Sequence, residues 1–231
     1  METKIAMTNL KNQSKAIQQS LGLSSSEIYQ TGLHLLNKIE AHGSVLDFGA
    51  GQGRFLQILS KNFKFENIAG ADLMDRPSDL HSSCHWIQAD LNNQLPCTEQ
   101  LFDIIVAIEV IEHLENPRAV VREWKRLLKP NGILIFSTPN NESIRSLLSL
   151  IIRGHFVAFL DKDYPAHITA LTQLDMKRSL AENEFSDSEV YFTDKGLVPG
   201  LRGLSWQQLS FGLLKGKRFS DNVFVVARRH T

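Results

Sequence analysis

The sequence predicts an α/β protein built on one mostly parallel β-sheet with helices on both faces. Short, almost continuous apolar segments alternate with segments whose apolar residues recur at helical spacing, which is typical of strands buried from both sides. The chain has 231 residues, 42% of them hydrophobic, which is enough for one sizeable domain. The first apolar segment runs directly into glycines at 49, 51 and 53, which indicate a sharp turn from a strand into a helix.

The individual elements follow from the period of the apolar residues. Strands are predicted over 45–48, 67–72, 85–88, 102–108, 133–137, 188–193 and 223–227. Helices are predicted over 24–41, 53–62, 117–128 and 173–183. Ser24 with Glu27 and Thr172 with Asp175 have capping-box spacing, and Pro117 suits the first turn of a helix.

A long segment, 141–186, separates the fifth predicted strand from the sixth. Ile144, Leu147, Leu148 and Ile151 mark one apolar face of a helix near its start. We interpret this segment as a helical cap over the sheet.

The turn after the first strand indicates which ligand it holds. Glycines at 49, 51 and 53 allow positive φ and a close approach of a ligand to the backbone. The dinucleotide fingerprint is G-x-G-x-x-G, but Arg54 stands where its third glycine would be. Asp47, before the first glycine, would repel a pyrophosphate but could hold a cationic amine. A zwitterionic nucleoside therefore fits better than a dinucleotide.

In a parallel sheet, ligands bind beyond the carboxyl ends of the strands. Asp72 follows the second strand, where its carboxylate could accept hydrogen bonds from both ribose hydroxyls. Asp90 follows the third strand and could accept from an adenine amino group, although an Asp-Leu-Asn-Asn segment is also ordinary turn chemistry. Leu73, Met74 and Leu91 are placed to sandwich an adenine ring or simply to pack.

Several motifs in order resemble those of the class I S-adenosylmethionine-dependent methyltransferases, and most of all their UbiG-related branch. The D-x-G-x-G-x-G signature occupies 47–53, and Phe102-Asp103 opens the fourth strand. Glu-Val-Ile-Glu-His follows that strand at 109–113, and Lys-Pro-Asn-Gly precedes the fifth at 129–132. The resemblance covers about residues 40 to 140 well and the remainder loosely.

This resemblance implies a Rossmann-like seven-stranded sheet whose last strand is antiparallel, a helical cap after the fifth strand, and S-adenosyl-L-methionine as cofactor. The residues that it places around the methionine part of the cofactor are Asp47, Gly49, Ala50, Gly51 and Gly53. It places Asp72 at the ribose, Asp90, Leu73 and Leu91 at the adenine, and Glu109 and His113 at the reacting end.

Methylation of a hydroxyl or amine requires a base, and histidine is the usual one near neutral pH. His167 is the first candidate, because residues 161–169 resemble the family segment that brings a histidine across the acceptor pocket. His113 is the second, because its position borders the methyl-transfer centre in that family. Either ring could instead be purely structural. His81 and His85 lack a third ligand, so we expect no metal site.

Residues 197–219 form an unusually long connection between the last two strands. Apolar and aromatic residues precede a basic end, which suits contact with a membrane surface or a wall for a greasy acceptor. Packing on its own domain or on a dimer partner is the alternative.

Charge and cysteine content restrict the class of protein. Lys+Arg and Asp+Glu are equal at 25 each, so no net field would gather nucleic acid, and no Asn/Asp-Pro-Pro-Tyr motif follows the fourth strand. Cys84 and Cys97 lack C-x-x-C spacing and suggest reduced thiols in the cytoplasm. We expect neither a signal peptide nor a spanning helix.

The sequence thus predicts a single domain over 1–231. Its parts are a helical arm (1–42), a cofactor-binding core (43–140), a cap (141–186) and a final strand pair with its long connection (187–231). The expected reaction is O-methylation of a small aromatic, glycan or lipid-linked acceptor. A non-catalytic S-adenosylmethionine-binding scaffold is the alternative, and the glycine spacing opposes a nicotinamide-dependent oxidoreductase. Oligomeric state is left open.

Overall fold

The computed structural model describes residues 24–201 and 203–230. The strands are β1 Ser44–Phe48, β2 Asn67–Asp72, β3 Cys84–Gln88, β4 Phe102–Ile108, β5 Leu128–Pro139, β6 Phe185–Phe192 and β7 Asn222–Arg229. The helices are α1 Ser26–Lys38, α2 Arg54–Asn62, α3 Pro117–Leu127, α4 Ile144–Arg153, α5 Gln173–Glu182 and α6 Trp206–Leu209. Single 3-10 turns cover Ile111–His113 and Asp161–Asp163. The arm expected over residues 1 to 22 lies outside the described residues.

All seven strands form one sheet in the order β3-β2-β1-β4-β5-β7-β6. Neighbours are parallel from β3 to β5, whereas β7 is antiparallel to both β5 and β6. The seven-stranded sheet and its antiparallel last strand are therefore confirmed. The strand order reverses between β1 and β4, and such a reversal opens a crevice at the carboxyl ends of the strands.

The core lies on both faces of the sheet because successive side chains of a strand point to opposite sides. In β4, Ile104 and Val106 pack with α1 and α2 on one face. Ile105 and Ala107 pack with α3 and α5 on the other. A central strand buried on both faces in this way is almost continuously apolar, and in β4 only Asp103, near its start, is not.

Helix α1 begins differently from the prediction. Ser25, not Ser24, is its N-cap, and no side chain caps it, so the Ser24–Glu27 capping box is wrong. The Ser24 amide instead donates to the hydroxyl of Tyr29 at 3.1 Å. This bond holds the residues before α1 beside the cavity described below.

Strand β5 starts five residues earlier than predicted. The Lys-Pro-Asn-Gly segment is not a separate turn but a bulge within the strand, where Asn131 takes a φ of 63°. A Cβ at Gly132 would lie 2.8 Å from the carbonyl oxygen of Lys129, so the bulge needs glycine there.

Helix α4 has an unexpected orientation. Ser146 and Ser149 are buried, whereas Ile151 and Ile152 are more than three quarters exposed. Ser143 caps the helix, and the hydroxyl of Ser146 accepts from the Val157 amide at 3.3 Å. The serine side of α4 therefore faces the rest of the cap.

The connection over 197–219 is mostly irregular, and among its described residues the four-residue α6 is the one helix. Trp206 packs against Phe219 with ring centroids 5.5 Å apart, which closes the base of the loop. Across the described ranges, no helix has the length and apolar character needed to cross a membrane.

Candidate active site

A cavity of about 290 Å³ opens at the carboxyl ends of β1, β2 and β4, beside the reversal in strand order. It collects eleven of the twelve predicted site residues: Asp47, Gly49, Ala50, Gly51, Asp72, Leu73, Asp90, Leu91, Glu109, His113 and His167. Gly53 does not line it. It caps α2 with a φ of 73°, so it shapes the turn and need not touch a ligand.

The glycine turn is shaped by close backbone approach. Gly49 has a φ of 85°, and a Cβ there would lie 2.3 Å from Val110 Cγ2. Gly51 has a φ of 52°, and its amide donates to Asp72 Oδ2 at 2.8 Å. The turn is thus fixed to the end of β2. Because glycine has no side chain, the space above the turn stays open to a ligand.

Asp47 is the most unusual group of the cavity. Its side chain is 2% exposed, and its Oδ2 has no hydrogen-bond partner among the described residues. Burial, and to a smaller extent the nearby charge of Asp72, together raise the pKa of Asp47 to about 8. A buried carboxyl that lacks a partner is complementary to a cationic amine, such as the ammonium group of S-adenosylmethionine.

Asp72 uses its carboxylate partly to hold the site together. Its Oδ2 accepts from the Gly51 amide, and its Oδ1 accepts from the Met74 amide at 2.9 Å. Burial raises its pKa in spite of these bonds, which act in the opposite direction. Each oxygen keeps a second lone pair, so both could accept from a vicinal diol such as a ribose.

Asp90 lies at the far end of the cavity, within a turn. Its Oδ1 accepts from the Asn92 amide and side chain at 3.0 and 3.1 Å, and its Oδ2 accepts from Asn93 Nδ2 at 3.2 Å. This is the turn chemistry that the sequence analysis gave as the alternative. Leu73, Met74 and Leu91 line the cavity here, so this end offers apolar walls for a flat ring.

Two histidines meet at the opposite end. The rings of His113 and His167 are 4.8 Å apart at their centroids. The Nδ1 atoms lie 2.7 Å from the Ala166 carbonyl oxygen and 2.6 Å from the Ala158 carbonyl oxygen, respectively. A carbonyl can only accept, so each Nδ1 carries a proton, and in the neutral form of a ring the lone pair is then on Nε2. Burial, and then the neighbouring His167, lower the pKa of His113 to about 4.

Backbone bonds bring the cap histidine to the sheet. The amides of Ile168 and Thr169 both donate to the Glu112 carbonyl oxygen at 3.0 Å. The Thr169 hydroxyl donates to the Leu114 carbonyl oxygen at 2.6 Å. His167 is therefore held beside His113 by the 3-10 turn that follows β4.

The Glu112 carboxylate lies close to both histidine rings. It is fully buried, and neither carboxylate oxygen has a partner within the described part of the chain. Burial, and then repulsion by Glu109, raise its pKa well above the usual range. Ligand atoms of Glu112, His113 and His167 lie within 4.8 Å of one another, close enough to hold a metal ion. The sequence analysis predicted no metal site. It could not show that residues 112–113 and His167, which are far apart in the chain, converge here.

Glu109, a predicted residue, lines the cavity, with a φ of 53° and its amide donating to the Ser137 hydroxyl at 3.0 Å.

The sequence analysis missed several residues of the cavity wall. Ser24, Tyr29 and Phe55 close the side toward α1, and Tyr29 stacks on Phe55 at 5.4 Å. The sequence gives no local signal for these residues, because α1 reaches the site only through tertiary packing.

Known proteins resemble this chain in both sequence and fold. The model of the family described as methyltransferase domain matches residues 25–190. A ubiquinone biosynthesis O-methyltransferase of Actinobacillus pleuropneumoniae serotype 7 is 30% identical over 148 residues, 54% of this chain and 62% of the relative. One from Rickettsia typhi is 25% identical over 188 residues, 75% of this chain and 73% of the relative. The chain thus spans about three fifths of the first relative's length.

Solved structures agree on the fold. An S-adenosylmethionine-dependent methyltransferase from Thermotoga maritima has a TM-score of 0.62 at 16% identity, over 87% of this chain and 88% of that one. An N-methyltransferase from Bradyrhizobium japonicum, solved with S-adenosyl-L-homocysteine, has a TM-score of 0.54 at 19% identity, over 87% and 85%. At such identities the likeness concerns the fold alone. The family match covers most of the chain, and so the chain belongs to the methyltransferase domain family.

Proposed function

We propose that this chain binds S-adenosylmethionine in the cavity and methylates a hydroxyl group of a small molecule. The observation that carries the proposal is that two kinds of group line one cavity. Asp47 is a buried carboxyl without a partner for its Oδ2, and His113 and His167 are two rings whose Nδ1 atoms face backbone carbonyl oxygens. A cationic amine suits Asp47, and an acceptor hydroxyl suits the histidines. The O-methyltransferase names of the sequence relatives support the choice of oxygen.

The chain's own groups would divide the work along the cavity. Bound S-adenosylmethionine supplies an electrophilic methyl group on a sulfonium. Asp47 would pair with its ammonium group, and Asp72 would accept from its ribose hydroxyls. His167 Nε2 would take the proton of the acceptor hydroxyl, with Nδ1–H kept on the Ala158 carbonyl oxygen. The low pKa of His113 keeps its ring neutral at pH 7, so it could accept a hydrogen bond from a second hydroxyl of the acceptor.

The acceptor and setting form the finer part of the proposal. We infer that the acceptor is an aromatic, glycan or lipid-linked small molecule. Equal numbers of acidic and basic residues give no net positive charge to attract nucleic acid, so they disfavour a nucleic-acid acceptor. We also propose that residues 197–219 contact a membrane surface from the cytoplasm. Support comes from the exposed apolar side chains of this connection and from its basic end.

Calorimetric titration with S-adenosylhomocysteine tests the proposal, with NAD as the matched nucleotide control. We expect micromolar binding of S-adenosylhomocysteine and none of NAD, since Asp47 would repel a pyrophosphate. Binding of NAD alone, or of neither ligand, would contradict the proposal.

Replacing Asp72 with Ala should weaken S-adenosylhomocysteine binding by about 1.5–3 kcal/mol, because charged hydrogen bonds to the ribose are lost. The substitution also frees the amides of Gly51 and Met74, so the thermal midpoint should fall as well. Asp75→Ala is the control, since Asp75 is exposed and bonds Gln88 outside the cavity. Unchanged affinity in Asp72→Ala would reject the ribose role.

A further inference from the structure

The connection between β6 and β7 carries a local charge excess that the whole chain lacks. Between Asp194 and Asp221 the sequence contains no acidic residue, and its basic residues are Lys195, Arg202, Lys215, Lys217 and Arg218. The chain overall has 25 residues of each sign. Lys195 is paired with Glu27 and Lys217 with Glu142, so the cations of the segment that remain to attract a surface of negative charge include Lys215.

The same connection projects apolar side chains into solvent. Phe211 is 96% exposed and Leu213 is 85% exposed. Phe211 has a φ of 52° and Gly212 a φ of 83°, so the backbone reverses at this point and directs the tip outward. A Cβ at Gly212 would meet no atom of the described residues within 4 Å. Neither side chain contributes to the core, and their exposure has no structural benefit for this domain alone.

Hydrogen bonds hold this tip in a fixed shape. Gln207 Nε2 donates to the carbonyl oxygens of Leu214 and Phe219 at 2.8 and 2.9 Å. The Leu214 amide donates to the Ser210 hydroxyl at 2.9 Å, and the Gly216 amide donates to Asp194 Oδ1 at 2.7 Å. The exposed tip is therefore held from behind, so it would lose little conformational freedom on binding.

The sheet places the tip on the cavity's side of the molecule. Strand β6 is antiparallel to β7, and β7 is antiparallel to β5, so β6 runs parallel to β5. The end of β6 and the start of β7 thus lie at the edge where β1, β2 and β4 end. A surface that binds the connection would lie next to the edge that holds the acceptor site.

We propose that Phe211 and Leu213 insert into an anionic lipid bilayer, with Lys215 facing the headgroups. This inference narrows the membrane contact proposed above and rests on it. Apolar tips beside basic side chains combine the two contributions by which peripheral proteins bind such surfaces, burial of apolar area and attraction to anionic lipid. Lys217 is paired with Glu142 at 2.7 Å, so Lys215 is the better placed cation.

Sedimentation with vesicles tests the inference on the full chain. We expect binding to phosphatidylcholine vesicles that contain phosphatidylglycerol, weaker binding to phosphatidylcholine alone, and loss of binding as salt is raised. Phe211→Ser combined with Leu213→Ser should weaken binding by about tenfold or more, since two apolar side chains no longer leave water. Leu101→Ser with Val190→Ser is the matched control, because these side chains are 41% and 40% exposed elsewhere.

Lys215→Glu keeps the apolar tip and should weaken binding to anionic vesicles by about fivefold or more. Lys64→Glu, an exposed lysine before β2, controls for the change in net charge. Equal binding of the Phe211/Leu213 variant and the parent, or no preference for phosphatidylglycerol, would overturn the inference. S-adenosylhomocysteine titration of the same preparations separates the outcomes: cofactor binding without vesicle binding rejects only the membrane surface.

Discussion

Replacing His167 with Ala should lower the rate constant of methyl transfer by about 10²–10⁴-fold, the usual contribution of a positioned general base. The affinity for S-adenosylhomocysteine should stay within about twofold. The His167 ring is proposed to contact the acceptor, and its replacement leaves Asp47 and Asp72 unchanged. The rate is measured as S-adenosylhomocysteine formed with a phenol acceptor, and the affinity by calorimetry. His85→Ala, an exposed ring on β3 outside the cavity, is the matched control.

Three further results decide what His167 does. Added imidazole should partly restore the rate of His167→Ala if the ring acts as a base. His113→Asn keeps a donor toward the Ala166 carbonyl oxygen, so it should retain far more activity than His167→Ala. A full loss of activity on chelation, with recovery when a divalent metal ion is added, would contradict the base role. It would assign His167 to a metal site with Glu112 and His113.

The parts of this site that could be predicted are those that depend on local sequence. The glycine turn is predictable because positive φ at Gly49 and Gly51 restricts the residue type within a few positions. Asp72 and Asp90 are predictable because Asp72 ends β2 and Asp90 lies two residues beyond the end of β3. A strand end in a parallel sheet points to one edge whatever lies further along the chain.

The parts that could not be predicted depend on contacts between distant segments. Glu112 meets His167 only because the Glu112 carbonyl oxygen accepts two amides from the cap. Tyr29 reaches the cavity because α1 packs against Phe55. The orientation of α4 is the reverse of the predicted one, since Ser146 accepts from an amide of the cap, a contact that periodicity does not show.

One local departure from the family pattern has little structural effect. Glu184 stands where the resembling family often has glycine, and it takes a φ of 59°. Helix α5 still ends at Glu182, and the Glu184 carbonyl oxygen accepts from the His230 amide at 3.0 Å. The long-range bond holds a conformation that the residue alone disfavours, so the helix end is close to its predicted place.

Replacing Asp47 with Asn should have opposite effects on cofactor binding and on the ligand-free protein. The amide keeps the shape but removes the charge that would balance an ammonium group. We expect S-adenosylhomocysteine to bind about 3 kcal/mol more weakly, roughly a hundredfold in Kd. The ligand-free variant should be at least as stable as the parent at pH 8, because it no longer buries an ionisable group. Calorimetry and thermal unfolding measure the two effects, and a loss of both affinity and ligand-free stability at pH 8 would contradict the argument.

The sign of the pH dependence follows from the same group. In the unfolded chain Asp47 titrates near about 3.9, whereas in the ligand-free native state its pKa is about 8. Between these values the native state holds a proton that the unfolded state has released. The free energy of unfolding of the ligand-free protein should therefore fall as pH rises from about 4 to 8. In Asp47→Asn this part of the pH dependence should vanish, which thermal unfolding at several pH values would show.

Cofactor binding should then be coupled to proton release. An ammonium group beside Asp47 favours the carboxylate, so binding at pH 7 should expel about one proton, and at pH 9 far less. Titrations in buffers of different ionisation enthalpy measure this number directly, and Asp47→Asn should release none. Equal proton release by the parent and the variant would place the ammonium group elsewhere.

Because Asp72 contributes to the raised pKa of Asp47, Asp72→Asn should reduce the proton release at pH 7 while leaving it above zero. The two carboxyl groups that hold opposite parts of one ligand are thereby linked through a single proton.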